Sequence, residues 1–246
     1  MLESLVLGCI SLGLSLFDWL TTLQIQLRLL WDAWLCWFWQ LAEAAFPRRH
    51  IQLPQLPRHV GVLFTEDKIA TRLLADLVTW AAAYGMDSLL LYDPWGEVVG
   101  GEEELVRSLE SGATNPFGVP LYVSLGSRQL ALPPADEGPS PPAARQRPLQ
   151  LHLLRLEDGR GCLIRALQRL AAQPKKLSKE AVSRELAAES ELVLQFGCLE
   201  SLCGYPGWLL RVAELLPLGP PPASFPELAW LQALDKFAKR QRRFGK

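Results

Sequence analysis

The 246-residue chain lacks an excess of charge of either sign. It holds 25 lysine and arginine residues against 26 aspartate and glutamate residues, for a net charge of −1. A protein that binds nucleic acid normally carries a basic excess, so the composition argues against nucleic acid as a partner. Hydrophobic residues make up 49% of the chain and charged residues 21%, which excludes disorder throughout and allows a sizeable core.

Cysteine and histidine are scarce, with five and three residues. The cysteines are odd in number and include no Cys-x-x-Cys pair; they are Cys9, Cys36, Cys162, Cys198 and Cys203. A disulfide scaffold needs paired cysteines, and a zinc ribbon needs closely spaced ligands. Neither is expected, and no metal site of the chain's own is predicted. The bulk of the chain is interpreted as a reduced globular domain that faces the cytosol.

Motifs for phosphate binding or hydrolysis are also missing. The chain has no Gly-x-Gly-x-x-Gly, no Gly-x-x-x-x-Gly-Lys-Ser/Thr, no His-Glu-x-x-His and no Gly-x-Ser-x-Gly. No histidine lies near Cys198 or Cys203 in the sequence to activate a thiolate, so both are interpreted as inert thiols. We therefore expect no catalytic residues in this chain itself.

The amino-terminal region is rich in tryptophan and leucine. Five of the nine tryptophans lie among the first 40 residues, and Asp18 is the single formal charge between Ser4 and Leu27. That stretch is long enough to cross a bilayer, and indole rings favour the headgroup region. Residues 1–47 are therefore predicted to form a membrane anchor with interfacial helices, with a pair of buried core helices as the alternative. The arginines that follow place the rest of the chain in the cytosol.

From His59 onward, short apolar runs alternate with helical patterns. Strands are predicted at residues 59–64, 88–92, 120–125, 149–156 and 191–195, and helices at 69–84, 102–112, 160–172, 178–189, 208–216 and 225–242. Strands separated by helices imply βαβ crossovers. The predicted fold class is α/β, with a mostly parallel central sheet flanked by helices. Asp67 or Thr65 is expected to cap the first helix.

Proline interrupts this alternation between Ala131 and Pro148, where six of eighteen residues are proline. Such a segment cannot form a helix interior or a central strand. It is interpreted as a loop insert that acts as a spacer, with a Pro-x-x-Pro recognition site as the alternative.

In open α/β sheets, catalytic and ligand-binding residues lie at the carboxyl ends of the strands. Here the loops at those ends are poor in residues that bind phosphate. The loop after the first strand is Thr65-Glu66-Asp67-Lys68, without glycine, and the loop from Gln195 to Ser201 has no lysine or arginine. A loop that cradles a diphosphate needs close backbone approach and positive charge. The domain therefore looks like an enzyme fold without the residues of an enzyme.

The far end of the chain is basic. Residues 236–246 contain six basic residues and no acidic one. One interpretation is a solvated last turn that complements the helix dipole. The other is a tail that meets phosphate, because an arginine offers a planar fork of donors and a glycine lets backbone N–H groups approach an anion, as in Arg243-Phe244-Gly245-Lys246.

Residues from Pro57 to Leu63 resemble the first strand of the cis-prenyltransferases, the undecaprenyl and dehydrodolichyl diphosphate synthases. In catalytic members, that strand leads into Asp-Gly-Asn-Arg, which handles Mg²⁺ and the allylic diphosphate, and a late strand leads into Arg-Thr-Ser-Gly-Glu-x-Arg. The matching positions here are residues 65–68 for the first motif, and Gln195 and Ser201 for the two arginines of the second. Both diphosphate-binding clusters are therefore missing.

The chain is more similar to the accessory subunits of the eukaryotic dehydrodolichyl diphosphate synthase complex, the Nogo-B receptor type. This similarity is carried by Thr79-Trp80 through Gly85, by Leu91-Tyr92-Asp93, by Leu192 through Gly197, by Trp208 and by the last four residues. Members of this family have a membrane anchor, a degenerate synthase domain and a terminal Arg-x-Gly followed by Lys.

The resemblance implies a function for the tail. In these heteromers, the accessory subunit's carboxyl terminus enters the active site of the catalytic partner, where Arg-x-Gly helps to bind isopentenyl diphosphate with its Mg²⁺. The resemblance carries this role to Arg243, Phe244 and Gly245. It also implies an endoplasmic reticulum membrane location and a product, long-chain polyprenyl diphosphate, that is used for dolichol and protein glycosylation.

The predicted organisation is an anchor at 1–47, a linker at 48–58 and a degenerate synthase-like domain at 59–246, with the insert at 131–148 and the basic tail at 236–246. The late helices are the expected interface, because synthases of this fold pair through them; its candidates are Trp208, Leu209, Leu215, Phe225 and Trp230. Core packing explains the same residues almost as well. The alternative function is a membrane receptor or scaffold that only binds protein partners.

Overall fold

Seven strands form one sheet in the computed structural model, which describes residues 56–112, 115–136, 138–142, 147–172, 189–199, 201–210 and 213–240, together with Trp19, Leu23, Ser178 and Val182. The strands are β1 (His59–Phe64), β2 (Ser88–Tyr92), β3 (Leu121–Leu125), β4 (Arg128–Leu132), β5 (Leu149–Leu154), β6 (Leu192–Phe196) and β7 (Glu214–Gly219). Their spatial order is β4-β3-β5-β2-β1-β6-β7. Every neighbouring pair is parallel except β3 and β4. The predicted mostly parallel α/β fold is confirmed.

The central strands are hydrophobic because both of their faces are covered. In β1, Val60, Val62 and Phe64 face the larger core, whereas Leu63 belongs to a smaller cluster on the other face. Continuous apolar runs of this kind are typical of parallel strands buried on two sides. The amino ends of the parallel strands lie along one edge of the sheet and their carboxyl ends along the opposite edge.

Five α-helices connect and cover the strands within the described residues. They are α1 (Thr71–Ala83), α2 (Glu97–Gly100), α3 (Glu102–Glu110), α4 (Arg160–Ala171) and α5 (Glu227–Lys239), and short 3₁₀ turns occur at Leu156–Asp158 and Gly207–Leu210. Residues of α1, α3 and α5 contribute to the larger core, which includes the fully buried Trp230. The helix predicted at 178–189 lies almost entirely outside the described residues.

The smaller cluster contains a close approach between β1 and a tyrosine. Its members are Leu63, Leu90, Tyr92, Val193, Tyr205 and Leu209. The Tyr205 hydroxyl lies 3.2 Å from the Ser190 hydroxyl, and a Cβ added at Gly61 would lie 2.2 Å from that tyrosine oxygen. Burial raises the pKa of Tyr205 to about 12. The glycine in this otherwise apolar strand is therefore explained by the room that the Tyr205 hydroxyl needs.

Gly61→Ala should destabilise the domain by about 1–3 kcal/mol, because the new methyl group overlaps a buried, hydrogen-bonded oxygen. Tyr205→Phe removes that oxygen and should cost about 1 kcal/mol by itself. The double variant is expected to lose less free energy of unfolding than the two single variants lose together, as measured by urea unfolding. Simple additivity of the two changes would show that the contact between Gly61 and Tyr205 has no energetic role.

Three sequence-based expectations were wrong at the level of local structure. The stretch predicted as a helix at 208–216 is a 3₁₀ turn followed by β7. Because β7 is the outermost strand on its side of the sheet, it tolerates Pro217. The first helix begins after Ala70 with no side-chain cap, so neither Thr65 nor Asp67 caps it. The strand β4 was not predicted. A two-residue turn connects it to β3, and the first residue of that turn is Gly126, with a φ of 58°.

The chain divides into two compact units, Met1–Arg49 and His50–Lys246. The predicted anchor lies outside the described residues apart from Trp19 and Leu23. Within the part of the chain that the structure describes, no helix has both the length and the hydropathy needed to cross a bilayer.

Candidate functional site

The loops at the carboxyl ends of β1 and β6 are joined to each other by hydrogen bonds. The backbone N–H of Thr65 donates to the Phe196 carbonyl at 2.8 Å, and the Thr65 hydroxyl donates to the same oxygen at 3.2 Å. Thr65 is 3% exposed, so its side chain is held inside the protein. At the position where the resemblance expects a Mg²⁺-handling aspartate, the chain therefore has a neutral group that is bonded within the sheet.

Glu66 extends the same junction. Its Oε1 accepts the backbone N–H of Cys198 at 3.1 Å. Gly197 has a φ of 123°, and a Cβ at that position would lie 1.9 Å from the Thr65 hydroxyl oxygen. Only glycine fits that conformation and that spacing. The acidic side chain that follows β1 thus organises the loop after β6.

Gln195 occupies the position of the first arginine of the late catalytic motif. Its Nε2 donates to the Leu199 carbonyl at 2.9 Å and to the Ser201 carbonyl at 3.2 Å. An amide that satisfies two carbonyls of its own loop carries no positive charge to offer a diphosphate. The neighbouring Cys198 is exposed, and Cys203 is half-buried.

The carboxylate at the end of β2 has a structural role as well. Asp93 is fully buried, and its two oxygens accept the backbone N–H groups of Trp95, Gly96, Glu97 and Val98 at 2.5–3.0 Å. It therefore fixes the start of α2. Among the described residues, no group of three or more His, Cys, Asp or Glu side chains is placed to hold a metal ion.

The five interface candidates do not form one surface. Leu209 is buried in the smaller cluster, whereas Phe225 and Trp230 are buried in the larger core on the opposite face of the sheet. Core packing accounts for these three. Trp208 is half-buried against the smaller cluster, and Leu215 on β7 is 38% exposed. Contact of any of these residues with a partner stays a prediction.

The helix that leads into the basic tail is tied down where it begins. The backbone N–H of Phe225 donates to Asp76 Oδ2 at 2.9 Å, and Trp80 Nε1 donates to the Phe225 carbonyl at 2.7 Å. The Tyr84 hydroxyl donates to Glu227 Oε1 at 2.9 Å. Burial raises the pKa of Asp76, although the Phe225 N–H and Arg72 oppose that shift. Asp76 and Trp80 on α1, together with Tyr84 just after it, are spaced four residues apart and thus hold the start of α5.

The same helix is also tied where it ends. Arg240, the residue after α5, forms an ion pair with Glu214 at the first position of β7. Since β6 and β7 are parallel and Glu214 is level with Leu192, this contact lies at the amino edge of the sheet. Arg243, Phe244 and Gly245 lie outside the described residues. Sequence reasoning missed Glu214, whose only signal was one acidic residue before an apolar run.

His59, the first residue of β1, hydrogen-bonds through Nδ1 to the Ser88 hydroxyl at 2.8 Å. His152 lies on β5, two strands away in the sheet. Burial is the first cause that lowers the pKa of His152, and the charge of His59 is the second. The imidazole of His152 is therefore favoured in its neutral form in the folded protein.

The free energy of unfolding should fall as the pH drops from 7.5 to 5.5, in part because of His152. The unfolded chain binds a proton at this imidazole with an ordinary pKa of about 6.5, whereas the folded chain binds it only at lower pH, so acid favours unfolding. His152→Gln should make that dependence shallower in urea titrations at both pH values. His59→Gln should leave most of the His152 contribution, because burial is its main cause. An unchanged dependence in His152→Gln would contradict the assignment.

The chain is similar in sequence to two subunits of dehydrodolichyl diphosphate synthase complexes. It is 26% identical over 207 residues to human dehydrodolichyl diphosphate synthase complex subunit NUS1, covering 79% of this chain and 68% of the human protein. The mouse Nus1 protein is likewise 26% identical over 207 residues, and 67% of its length is covered. No protein-family model matches the chain.

Two solved structures share the fold. A probable undecaprenyl diphosphate synthase from Campylobacter jejuni superposes with a TM-score of 0.53 at 17% identity, covering 76% of this chain and 98% of the other. Lavandulyl diphosphate synthase from Lavandula x intermedia, in complex with dimethylallyl diphosphate, gives a TM-score of 0.53 at 15% identity, covering 78% and 99%. The resemblance seen in the sequence is confirmed: the chain has the undecaprenyl diphosphate synthase-like fold and is similar in sequence to the NUS1 subunit of the dehydrodolichyl diphosphate synthase complex.

Proposed function

We propose that this chain is a non-catalytic, obligate subunit of a heteromeric cis-prenyltransferase. Its partner is a catalytic dehydrodolichyl diphosphate synthase subunit, in a heterodimer or larger assembly. The complex would make long-chain polyprenyl diphosphate from farnesyl and isopentenyl diphosphates. The observation that carries the proposal is the carboxyl edge of the sheet, where Thr65, Glu66 and Gln195 use their polar atoms on the protein's own loops.

The proposed contribution to catalysis comes from the tail. Chain elongation breaks the bond from carbon to diphosphate in the allylic substrate, joins the resulting cation to the double bond of isopentenyl diphosphate, and releases a proton. The second diphosphate must be held in position throughout. Fixed N–H donors and positive charge serve that need, and Arg243 with the amides of Phe244 and Gly245 can supply both. Mg²⁺, bound mainly through substrate and partner, would supply further charge neutralisation.

The placement of α5 supports a role for the tail on another chain. Arg240 is held at the amino edge of the sheet, whereas pockets of such sheets open at the carboxyl edge. From Arg240 to Arg243 the backbone extends at most about 11 Å. A six-residue strand such as β1 is about 20 Å long. With Arg240 held there, an extended backbone is too short to bring Arg243 to this chain's own loops at the carboxyl edge.

The proposal includes a location. Residues 1–47 would anchor the chain in the endoplasmic reticulum membrane and leave the globular domain in the cytosol, so that a lipid product forms next to the bilayer. Dolichol synthesis and protein glycosylation would use that product.

Co-purification of the full-length chain with a catalytic partner, followed by an assay of polyprenyl diphosphate synthesis, tests the proposal. The pair should be active and should be inactivated by a tag fused after Lys246. A matched tag before Met1 should leave the activity unchanged. Full activity with the carboxyl-terminal tag would instead support a receptor or scaffold that only binds partners.

A further inference from the structure

Arg240 marks the point at which the chain leaves α5. Its backbone is extended, with a φ of −79° and a ψ of 131°, and its N–H donates to the Phe237 carbonyl at 3.3 Å. Whatever fixes Arg240 therefore fixes the direction in which the following residues depart. The ion pair with Glu214 connects Arg240 to strand β7 of the sheet.

Glu214 is well suited to act as the fixed partner of this pair. Its side chain is 13% exposed, compared with 60% for Arg240. Its backbone N–H donates to the Glu191 carbonyl at 3.0 Å, and it pairs with Leu192 in the register of β6 and β7. The carboxylate thus sits on a strand held by the sheet, and the arginine is the more exposed member of the pair.

A second ion pair on the same helix provides a contrast. Lys239 Nζ lies 2.6 Å from Asp235 Oδ2, four residues earlier. Both residues belong to α5, so this pair cannot set the direction of the helix end relative to the sheet. Its more exposed side chains, at 73% and 36%, also fit an ordinary surface pair.

We infer that Glu214 is a positioning residue: by holding Arg240 at the amino edge of the sheet, it aims the basic tail at the diphosphate site of the partner. This inference rests on the proposed function. A tethered group acts at an effective concentration set by the length and stiffness of its tether. Here the tether is the chain between α5 and Arg243. Without the Glu214 contact, this tether would leave the end of α5 in more orientations, and Arg243 would meet the diphosphate less often. Glu214 itself would touch neither substrate.

The test uses the full-length chain in complex with its catalytic partner. Four proteins are compared: the unaltered chain, Glu214→Gln, Asp235→Asn as the matched control, and a chain lacking residues 241–246. The KM values for isopentenyl and farnesyl diphosphate, kcat, the Tm and the mass of the complex are measured for each. Glu214→Gln should raise the KM for isopentenyl diphosphate by up to about fivefold, the fold-change that corresponds to the loss of one surface ion pair. The KM for farnesyl diphosphate and the mass should not change, and the Tm should fall by no more than about 2–4 °C, the shift expected for one lost surface ion pair.

Asp235→Asn should resemble the unaltered chain. Glu214→Gln combined with Arg240→Gln should be no worse than the poorer single variant, because both changes remove one contact. The inference is overturned if removing residues 241–246 raises the KM for isopentenyl diphosphate and Glu214→Gln does not. It is also overturned if Glu214→Gln lowers the Tm and shifts both KM values alike, since that is a structural defect. If removing residues 241–246 changes nothing, the proposed function itself fails.

Discussion

Replacing Arg243 by His in the full-length chain should lower turnover of the reconstituted heteromer about 100-fold, the scale at which one preorganised donor to a developing charge is lost. The guanidinium offers two parallel N–H donors to a diphosphate, and imidazole cannot reproduce that fork. Assembly should be unaffected, because the core residues of α5, such as Trp230 and Phe237, are buried in this chain's own domain. Steady-state rates and the mass of the complex check both statements.

Arg242→His is the matched control, since it removes the same charge from the adjacent residue, outside the Arg-x-Gly pattern. It should cost much less than Arg243→His. Gly245→Ala should also lower turnover strongly, because an added Cβ hinders close approach of the backbone to an anion. Equal losses in Arg242→His and Arg243→His would show that the tail acts only through its overall positive charge. Normal activity without the last four residues would show that the tail has no role in catalysis.

The central sheet could be predicted because its strands are continuously apolar. His59–Phe64, Ser88–Tyr92 and Leu192–Phe196 are each short, hydrophobic and bounded by turns, which is the pattern of strands buried on both faces. The stretch after Trp208 could not be assigned in the same way, because a brief apolar run fits a helix and an edge strand equally well. The sequence does not reveal which strand this stretch pairs with. In the structure it pairs with β6, and it is therefore the strand β7.

The missing catalytic motifs were visible in the sequence, whereas the use of the residues that replace them was not. Thr65 and Phe196 lie 131 residues apart in the chain, and Glu66 and its partner Cys198 lie 132 residues apart. Local patterns instead favoured a helix cap for Thr65, since threonine is a common cap. Long-range packing of β1 beside β6 outweighed that local preference.

Without a catalytic partner, this chain should show no measurable prenyl transfer, and its own carboxyl edge should be dispensable for turnover in the complex. Gln195→Ala removes two hydrogen bonds to the loop carbonyls of Leu199 and Ser201. It should cost about 1 kcal/mol of stability and leave kcat and both KM values of the heteromer unchanged. Radiolabelled isopentenyl diphosphate incorporation, with the chain alone and in the complex, measures both expectations.

Glu66→Gln completes this test, because it keeps the shape of the side chain and an oxygen that can still accept the Cys198 N–H while removing the charge. If the loops of this chain only hold each other, then neither Gln195→Ala nor Glu66→Gln alters catalysis, while Arg243→His, far along the chain, abolishes most of it. A loss of turnover in Glu66→Gln with an unchanged Tm would place a second working diphosphate site in this chain. The division between a structural carboxyl edge and a catalytic tail would then be wrong.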